Sequence, residues 1–177
     1  MSDISQPSEI SRQSDVQQSD KLIQGDLSGQ AVDIPSYGEF SIVSLNVSAN
    51  VGTIKSPVQC VEFVPNFGIR GDAHAGRLEN RQISLLSMEE IEEASRKIAE
   101  GHTGRALILK PGDFGENITT RGVVLHRLPI GTHLYLGPVE LVVSQIGKEC
   151  HTSCEIRKLV GDCVMPRKGI FARVVVG

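Results

Sequence analysis

Short alternating segments separated by Gly and Pro constrain the fold of this chain more than any other feature. Within each segment, apolar and β-branched residues alternate with polar ones, which is the period of a strand with one buried face. Frequent turns between short strands favour a closed or partly closed barrel over a parallel α/β sheet. The predicted strands cover residues 40–47, 58–64, 82–86, 118–120, 132–136, 139–146 and 170–176. We expect the first two to pair with each other.

One segment has the periodicity of a helix. Ser87 is its predicted N-cap, and Gly101 is expected to end it, so that the helix covers about residues 88–100. The residues that share its apolar face are Ile91, Ala94, Ile98 and Ala99. The predicted fold is therefore mainly β, with one clear α-helix and short peripheral helices, of which one is expected at 155–160.

The chain of 177 residues is long enough for one domain with a hydrophobic core and too short for two. Residues 1–36 are dominated by Ser, Gln and Asp, and such a segment cannot bury enough apolar surface to offset the entropy of ordering. We therefore predict a disordered polar tail over 1–36 and a folded domain over 37–177.

Charge and hydropathy exclude several classes of partner. A formal net charge of -3 provides no long-range field for phosphate backbones, so nucleic acid is not expected and any anion site must be a local cluster of Arg and Lys. No apolar run approaches the roughly 20 residues of a membrane span, and the N-terminus lacks the pattern of a secretory signal. A cytoplasmic protein is expected, in which the four cysteines are thiols, metal ligands or catalytic groups.

The densest cluster of chemically active side chains follows the predicted strand at 139–146. A side chain that leaves the end of a strand is expected on a rim loop, where functional sites usually lie. Lys148 stands two residues before Cys150, and a neighbouring cation lowers the pKa of a cysteine and raises its thiolate fraction. Cys150 is therefore the best candidate for a functional thiolate.

Two other interpretations of the cysteines remain open. A structural zinc site could use Cys150, His151, Cys154 and Cys163, although their spacing lacks the paired C-x-x-C knuckles of such sites. Cys60 lies inside the predicted strand at 58–64 and is expected to be a small apolar filler of the core.

A second cluster comprises Arg70, Asp72, His74, Arg77 and Arg81, with glycines between them. Closely spaced glycines let backbone N–H groups approach an anion, and the arginines could supply forked donors for a phosphate. The alternative is a polar turn with solvated arginines. His74 is a candidate ligand or proton carrier, although a lone loop histidine is more often a structural hydrogen-bonding group.

A third cluster places Glu116 and Asn117 at the start of a predicted strand, where an amide that donates and accepts suits the edge of a heterocycle. An ordinary turn of Gly and Asp is the alternative interpretation. Arg167 precedes the last strand and is either a phosphate ligand or a solvated cation.

Five motifs in order resemble the MOSC family, which comprises the C-terminal domain of molybdenum cofactor sulfurases and its stand-alone bacterial relatives. They lie at residues 71–76, 81–87, 112–117, 146–150 and 165–173. The likeness extends from Phe40 to Gly177, and the order of five motifs is more specific than any one of them.

The resemblance implies a β-barrel that binds a molybdopterin-type cofactor, with the family's cysteine matching Cys150. In reductases of the family this cysteine ligates molybdenum, and in sulfurases it is proposed to carry sulfur as a persulfide. Asn117 and Arg81 fall on motif positions that contact cofactor in the family. Asp72 and His74 are expected to shape the opening of the same cofactor site. The full predicted set of cofactor-binding residues is Arg70, Asp72, His74, Arg77, Arg81, Glu116, Asn117, Lys148 and Arg167.

Three functions follow as hypotheses. The first is a cofactor-binding accessory protein, with cofactor biosynthesis or acceptor proteins as partners and Cys150 as ligand or sulfur carrier. The second is a small molybdoenzyme that reduces N-hydroxylated substrates with an external reductase. The third is a structural zinc module. Because no segment of this chain resembles the aminotransferase-like domain of full sulfurases, no pyridoxal phosphate is expected.

Overall fold

The computed structural model describes residues 38–101, 108–149 and 163–177. The strands are β1 (Ser41–Val47), β2 (Ser56–Val58), β3 (Phe63–Val64), β4 (Gly68–Ile69), β5 (Ile83–Ser87), β6 (Ile118–Arg121), β7 (His133–Leu136), β8 (Val139–Ile146) and β9 (Ile170–Val176). The helices are α1 (Met88–Gly101) and α2 (Met165–Lys168), and 3₁₀ turns lie at Glu79–Arg81 and Leu125–Arg127. The predicted mainly β fold is confirmed.

Seven of these strands form one sheet that curls into a half-barrel, in the order β2-β1-β6-β5-β9-β8-β7. β3 and β4 pair with each other in a separate two-stranded sheet. All neighbours in the large sheet are antiparallel except β5 and β6. A parallel pair needs a crossover connection, and α1 lies in the connection between these two strands.

The central strands are buried on both faces. Leu85 of β5 and Ile170 of β9 belong to one hydrophobic core, whereas the next residue of each strand, Leu86 and Phe171, belongs to a second core that includes Ile91 of α1. Successive side chains of a strand point to opposite faces, so the same two strands supply both cores. Phe171 therefore lies on the face of the sheet that α1 covers.

The prediction of one continuous strand over residues 58–64 is wrong. β2 ends at Val58, which pairs with Leu45 of β1, so the expected pairing is confirmed only at this end of the segment. β3 pairs with β4 instead, because the chain leaves the large sheet between β2 and β3. Cys60 lies in that gap and is exposed, so its interpretation as a core filler is also wrong.

The helix agrees with the sequence prediction at its start, since α1 begins directly after Ser87. Ile91 and Ala94 are buried, and Ile98 is half-buried against the second core. Ala99 is exposed, which corrects its assignment to the buried face, because the packed part of the helix ends at Ile98.

Two predicted elements, the tail at 1–36 and the short helix at 155–160, lie outside the described residues. Within the described ranges, no helix combines the length and apolar character that crossing a membrane requires.

Candidate functional site

A cleft of about 650 Å³ opens where β8 ends. The 3₁₀ turn at Glu79–Arg81 and the first turn of α2 supply its other walls. Its lining residues are Arg81, Gln145, Ile146, Gly147, Lys148, Glu149 and Pro166. A cavity of this size falls within the range that holds small organic ligands and cofactors.

Two cations of the cleft lie over the same aromatic ring. The guanidinium carbon of Arg81 is 5.5 Å from the centre of the Phe171 ring, and the Lys148 ammonium nitrogen is 5.9 Å from it. In the described part of the chain, neither side chain forms an ion pair with a carboxylate. Because two neighbouring like charges repel unless an anion lies between them, this pair favours a negatively charged ligand.

Gln145 connects Arg81 to the wall of the cleft. Its side-chain oxygen accepts a hydrogen bond from Arg81 Nε at 3.0 Å, and its side-chain nitrogen donates to the Gly147 carbonyl at 2.7 Å. The forked end of Arg81, which can bind a phosphate or carboxylate through two parallel bonds, is not used by this contact.

Gly147 brings the end of β8 against α2. Its N–H donates to the Gly169 carbonyl at 2.8 Å, and its φ is +64°. A Cβ on Gly147 would lie 2.1 Å from the Pro166 carbonyl oxygen. The wall of the cleft therefore depends on a backbone-to-backbone contact that only glycine permits.

A buried ion pair, Lys55 with Asp72, lies beneath His74. Lys55 Nζ donates to Asp72 Oδ2, which also accepts the Ser48 N–H at 3.1 Å. Asp72 Oδ1 accepts the His74 backbone N–H at 3.0 Å and lies 3.4 Å from His74 Nδ1. The side chains of Lys55 and Asp72 are each 1% exposed, whereas that of His74 is 36% exposed.

In the pair of Lys55 and Asp72, each residue favours the charged form of the other. Burial alone would raise the pKa of Asp72, but hydrogen bonds from His74 and Lys55 hold that pKa well below its ordinary value. Burial lowers the pKa of Lys55, Asp72 opposes this shift, and the charge of Lys148 adds to it.

Glu116 and Asn117 are 0% and 1% exposed. The Asn117 side chain accepts hydrogen bonds from the N–H and hydroxyl of Ser84 at 3.2 and 3.0 Å, and donates to the Asn46 carbonyl at 3.2 Å. It thereby connects β1, β5 and β6. The role of both residues in cofactor binding stays a prediction, and their hydrogen bonds described here are internal to the fold.

Glu116 is a buried acid with one satisfied oxygen. Its Oε1 accepts the Gly112 N–H at 2.6 Å and the Thr119 hydroxyl at 2.8 Å, and its Oε2 is buried without a partner among the described residues. Burial raises the pKa of Glu116 to about 7, because the charged form loses its hydration.

Replacement of Glu116 by Gln is expected to remove a pH-dependent loss of stability. The pKa of Glu116 is about 7 in the folded protein against 4.5 for a free glutamate, so the folded state holds the proton to higher pH. Stability therefore falls as the pH rises from about 4.5 through 7. Between pH 5 and 8, we expect the free energy of unfolding of the wild type to fall by about 2 kcal/mol more than that of the variant. Urea unfolding at both pH values tests this, and equal changes in the two proteins would contradict it.

The other predicted site residues are dispersed. Arg70 is exposed and forms a two-pronged ion pair with Glu62, at 2.6 and 2.9 Å. Arg77 and Arg167 are exposed. Cys150 lies outside the described residues, and its chain neighbour Glu149 lines the cleft.

The proposed zinc cluster falls largely outside the described part of the chain. Of its four residues only Cys163 is described, and it is buried in the second core. Among the described residues, no group of three or more His, Cys, Asp or Glu side chains could hold a metal ion.

Three residues that shape the site are missing from the sequence prediction. They are Lys55, Gln145 and Phe171. Lys55 is a single lysine beside a short strand, and Gln145 and Phe171 lie inside strands where the alternation predicts only packing. Their roles depend on contacts between distant segments, which no local pattern signals.

Comparisons with known proteins agree on the fold. Residues 55–174 match the sequence profile of the MOSC domain family. The crystal structure of the YuaD protein from Bacillus subtilis is similar, at 19% identity and a TM-score of 0.63 over 78% of this chain and 90% of that one. None of the curated proteins matches this sequence.

Two structures of the protein YiiM are also similar. The protein from Escherichia coli is 17% identical, with a TM-score of 0.56 over 77% of this chain and 62% of that one. The protein from Geobacillus stearothermophilus is 21% identical, with a TM-score of 0.55 over 78% of this chain and 70% of that one. The similar region thus spans less than two thirds of the Escherichia coli protein.

Proposed function

This chain belongs to the MOSC domain family, which is associated with the molybdenum cofactor, and on that premise we propose that its cleft binds this cofactor, with Cys150 as the functional thiolate. The proposed role is that of a cofactor-binding accessory protein.

The observation that carries the proposal is the pair of cations over Phe171. A molybdopterin-type cofactor bears a phosphate, and Arg81 and Lys148 line a cleft of about 650 Å³ without ion-pair partners in the described ranges. Arg suits forked recognition of phosphate oxygens, and Lys adds a mobile point charge. Size and charge therefore both fit the cofactor, which when bound supplies a molybdenum centre for redox or sulfur chemistry.

Gln145, Lys148 and Cys150 have different roles in the proposed binding of the cofactor. Gln145 holds Arg81 at the cleft, so that less side-chain entropy is lost when the anion binds. Lys148 precedes Cys150 by two residues and favours its thiolate form. A thiolate there suits a metal ligand or a sulfur carrier. As a carrier, it attacks the outer sulfur of a donor protein's persulfide, takes up that sulfur atom and releases the donor as a thiol.

Anaerobic purification from cells that make the cofactor, with molybdenum and pterin measured together, tests this proposal. Replacement of Arg81 or Lys148 by Gln is expected to lower affinity for the cofactor by about 10-fold to 100-fold, because each removes a charge-assisted contact. Replacement of Arg121 by Gln removes the same charge from an exposed pair with Glu92, outside the predicted cofactor-binding set, and serves as the matched control. Loss of binding in all three variants to the same extent would point to net charge and contradict a specific site.

Replacement of Cys150 by Ala separates the roles of the thiolate from those of the cations. We expect this variant to retain pterin and to lose either molybdenum or cyanide-releasable sulfur. A variant that keeps pterin, metal and transferable sulfur at wild-type levels would contradict the assignment of Cys150. Turnover of an N-hydroxylated base with a flavin reductase would favour an enzyme over an accessory protein, and stoichiometric zinc that is lost in Cys154→Ser would favour a structural module.

A further inference from the structure

Three side chains from three different elements meet beside α2. The Lys168 ammonium nitrogen lies 3.1 Å from His126 Nε2 and 3.4 Å from Glu90 Oε1. His126 Nδ1 lies 3.7 Å from the same Glu90 oxygen. Glu90 comes from the first turn of α1, His126 from the 3₁₀ turn at Leu125–Arg127 and Lys168 from the end of α2. These three residues, the α2 anchor, connect α2 to two elements outside it.

The hydrogen bond within the α2 anchor requires a neutral His126. An ammonium group donates and cannot accept, so the bond from Lys168 needs the lone pair of Nε2. The proton of the neutral ring is then on Nδ1, on the side of the Glu90 carboxylate. A second proton would be added at Nε2, where it points at the ammonium group. Protonation therefore turns the hydrogen bond into a contact between two cations that compete for one carboxylate oxygen.

The charges around His126 agree with a neutral ring. Lys168 faces the ring from α2 and Glu90 faces it from α1, while Arg127 lies in the same 3₁₀ turn as the ring. Arg167, the other cation of α2, is exposed, and β5, which also packs against the turn, carries no ionisable side chain. Burial lowers the pKa of His126, the charges of Lys168 and Arg127 add to this shift, and Glu90 opposes it.

α2 is also a wall of the cleft. It consists of four residues, of which Pro166 lines the cleft and Lys168 is the last. The Lys168 N–H donates to the Val164 carbonyl at 2.8 Å, so α2 is a single closed turn. Gly169, the next residue, accepts a hydrogen bond of 2.8 Å from the N–H of Gly147, which also lines the cleft. A displacement of Lys168 is thereby transmitted to the cleft through the backbone of one turn.

From this geometry we infer that the α2 anchor is an acid-sensitive switch of the cleft: protonation of His126 separates it from Lys168, loosens α2 and opens the cleft wall. At neutral pH the anchor keeps the wall in place, and in mild acid a bound ligand leaves more readily. Histidine suits this role because its charge changes close to neutral pH. The inference rests on the proposed function only for the identity of the ligand, since the loosening of α2 belongs to the protein alone.

Amide hydrogen exchange of the full-length, cofactor-free protein, followed by NMR, tests the loosening of α2. The readout is the protection factor of the Gly147 N–H, in which the pH dependence of the chemical exchange rate is divided out. We expect this protection to fall several-fold between about pH 8 and about pH 5, where histidine gains its proton. The Gly131 N–H, which donates to the Val143 carbonyl at 2.7 Å, is the internal control and should keep its protection. Unchanged protection of Gly147 would overturn the inference.

Replacement of His126 by Gln tests whether this histidine is the group that titrates. The Gln side chain can accept the hydrogen bond from Lys168 but cannot be protonated, so the protection of Gly147 should stay constant over the same pH interval. His133→Gln is the matched control, because His133 pairs with Glu140 on β8 and lies outside the α2 anchor. This control should show the wild-type loss of protection. A wild-type loss in folded His126→Gln would overturn the role of His126.

Replacement of Lys168 by Met tests the repulsion directly and serves if His126→Gln does not fold. The ring still titrates in this variant, but its protonation no longer produces a contact between two cations. We expect the acid-dependent loss of Gly147 protection to disappear, and the pKa of His126, followed by NMR, to rise relative to the wild type. Persistence of the loss together with an unchanged His126 titration would overturn the role of Lys168.

Retention of the cofactor after transfer from about pH 8 to about pH 5 tests the effect on the ligand. In acid, wild-type protein isolated with cofactor is expected to lose pterin several-fold faster than His126→Gln, whereas at the higher pH both lose it equally slowly. Equal rates in acid would overturn the inference and leave the proposed function standing. Protein that never acquires cofactor would contradict the proposed function, and the protection of Gly147 then decides the inference by itself.

Discussion

Replacement of Gly147 by Ala is expected to lower the free energy of unfolding by about 3 kcal/mol or more and to deform the cleft. The residue has a φ of +64°, a conformation that costs an L-residue roughly 1 to 2 kcal/mol. Its Cβ would also lie 2.1 Å from the carbonyl oxygen of Pro166 and 3.1 Å from the carbonyl carbon. Both atoms belong to the backbone, so relief requires α2 to move away from the end of β8. Urea denaturation measures the loss.

Gly137→Ala is the matched control for this prediction. Gly137 has a φ of +63°, and a Cβ there would meet no atom within 4 Å. Its replacement should cost roughly 1 to 2 kcal/mol, which is the conformational cost alone. The difference between the two variants then measures the close approach of the backbones at the cleft. Equal losses at both positions would show that the contact between Gly147 and Pro166 has no energetic importance.

Replacement of Lys55 by Met is expected to cost about 3 to 5 kcal/mol, because it leaves the Asp72 carboxylate buried without its cation. The matched control is Arg70→Met, which breaks an ion pair whose side chains are 64% and 60% exposed. An exposed pair contributes little to stability because water screens the attraction, so this variant should unfold almost like the wild type. Chemical denaturation of both variants at pH 7 provides the comparison, and similar stabilities would contradict the importance of burial.

The buried pair of Lys55 and Asp72 also predicts that the stability of the protein falls at acid pH. The pKa of Asp72 in the folded protein lies well below the 3.8 of a free aspartate, so its contribution to stability is complete above about pH 4. That contribution is lost as the pH falls from about 4 toward the folded pKa. The double variant Lys55→Met, Asp72→Asn lacks this carboxylate and should therefore lose less stability than the wild type over the same interval.

Elements whose burial pattern is continuous could be predicted from the sequence. β9 has the predicted bounds, and β8 and the start of α1 agree as well. In these segments at least one face packs over most of the length, so the local alternation follows the tertiary structure. The segment at 58–64 fails because its two ends pair with different strands, and a local pattern carries no information about the partner.

The site could be predicted only in part. Arg81 and Lys148 are identifiable as candidate cation ligands, since Arg and Lys in Gly-rich loops commonly bind anions. The sequence does not show that they lie over one ring, because Phe171 comes from a strand far from both. Lys55 is missed for the same reason, since an isolated lysine is ordinarily solvated and only the contact with Asp72 accounts for its burial.

The cation pair over Phe171 thus depends partly on the sequence and partly on the tertiary structure. The sequence by itself determined the family, the β-rich architecture and the presence of basic loop residues, because periodicity and motif order are properties of the local chain. Only the tertiary structure decided that Arg81 and Lys148 line one cleft, that Gly147 closes its wall and that Lys55 and Asp72 lie buried beneath His74. Those arrangements depend on β8, β9 and the loop before β5 meeting in space, and such contacts are set by the packing of the whole sheet.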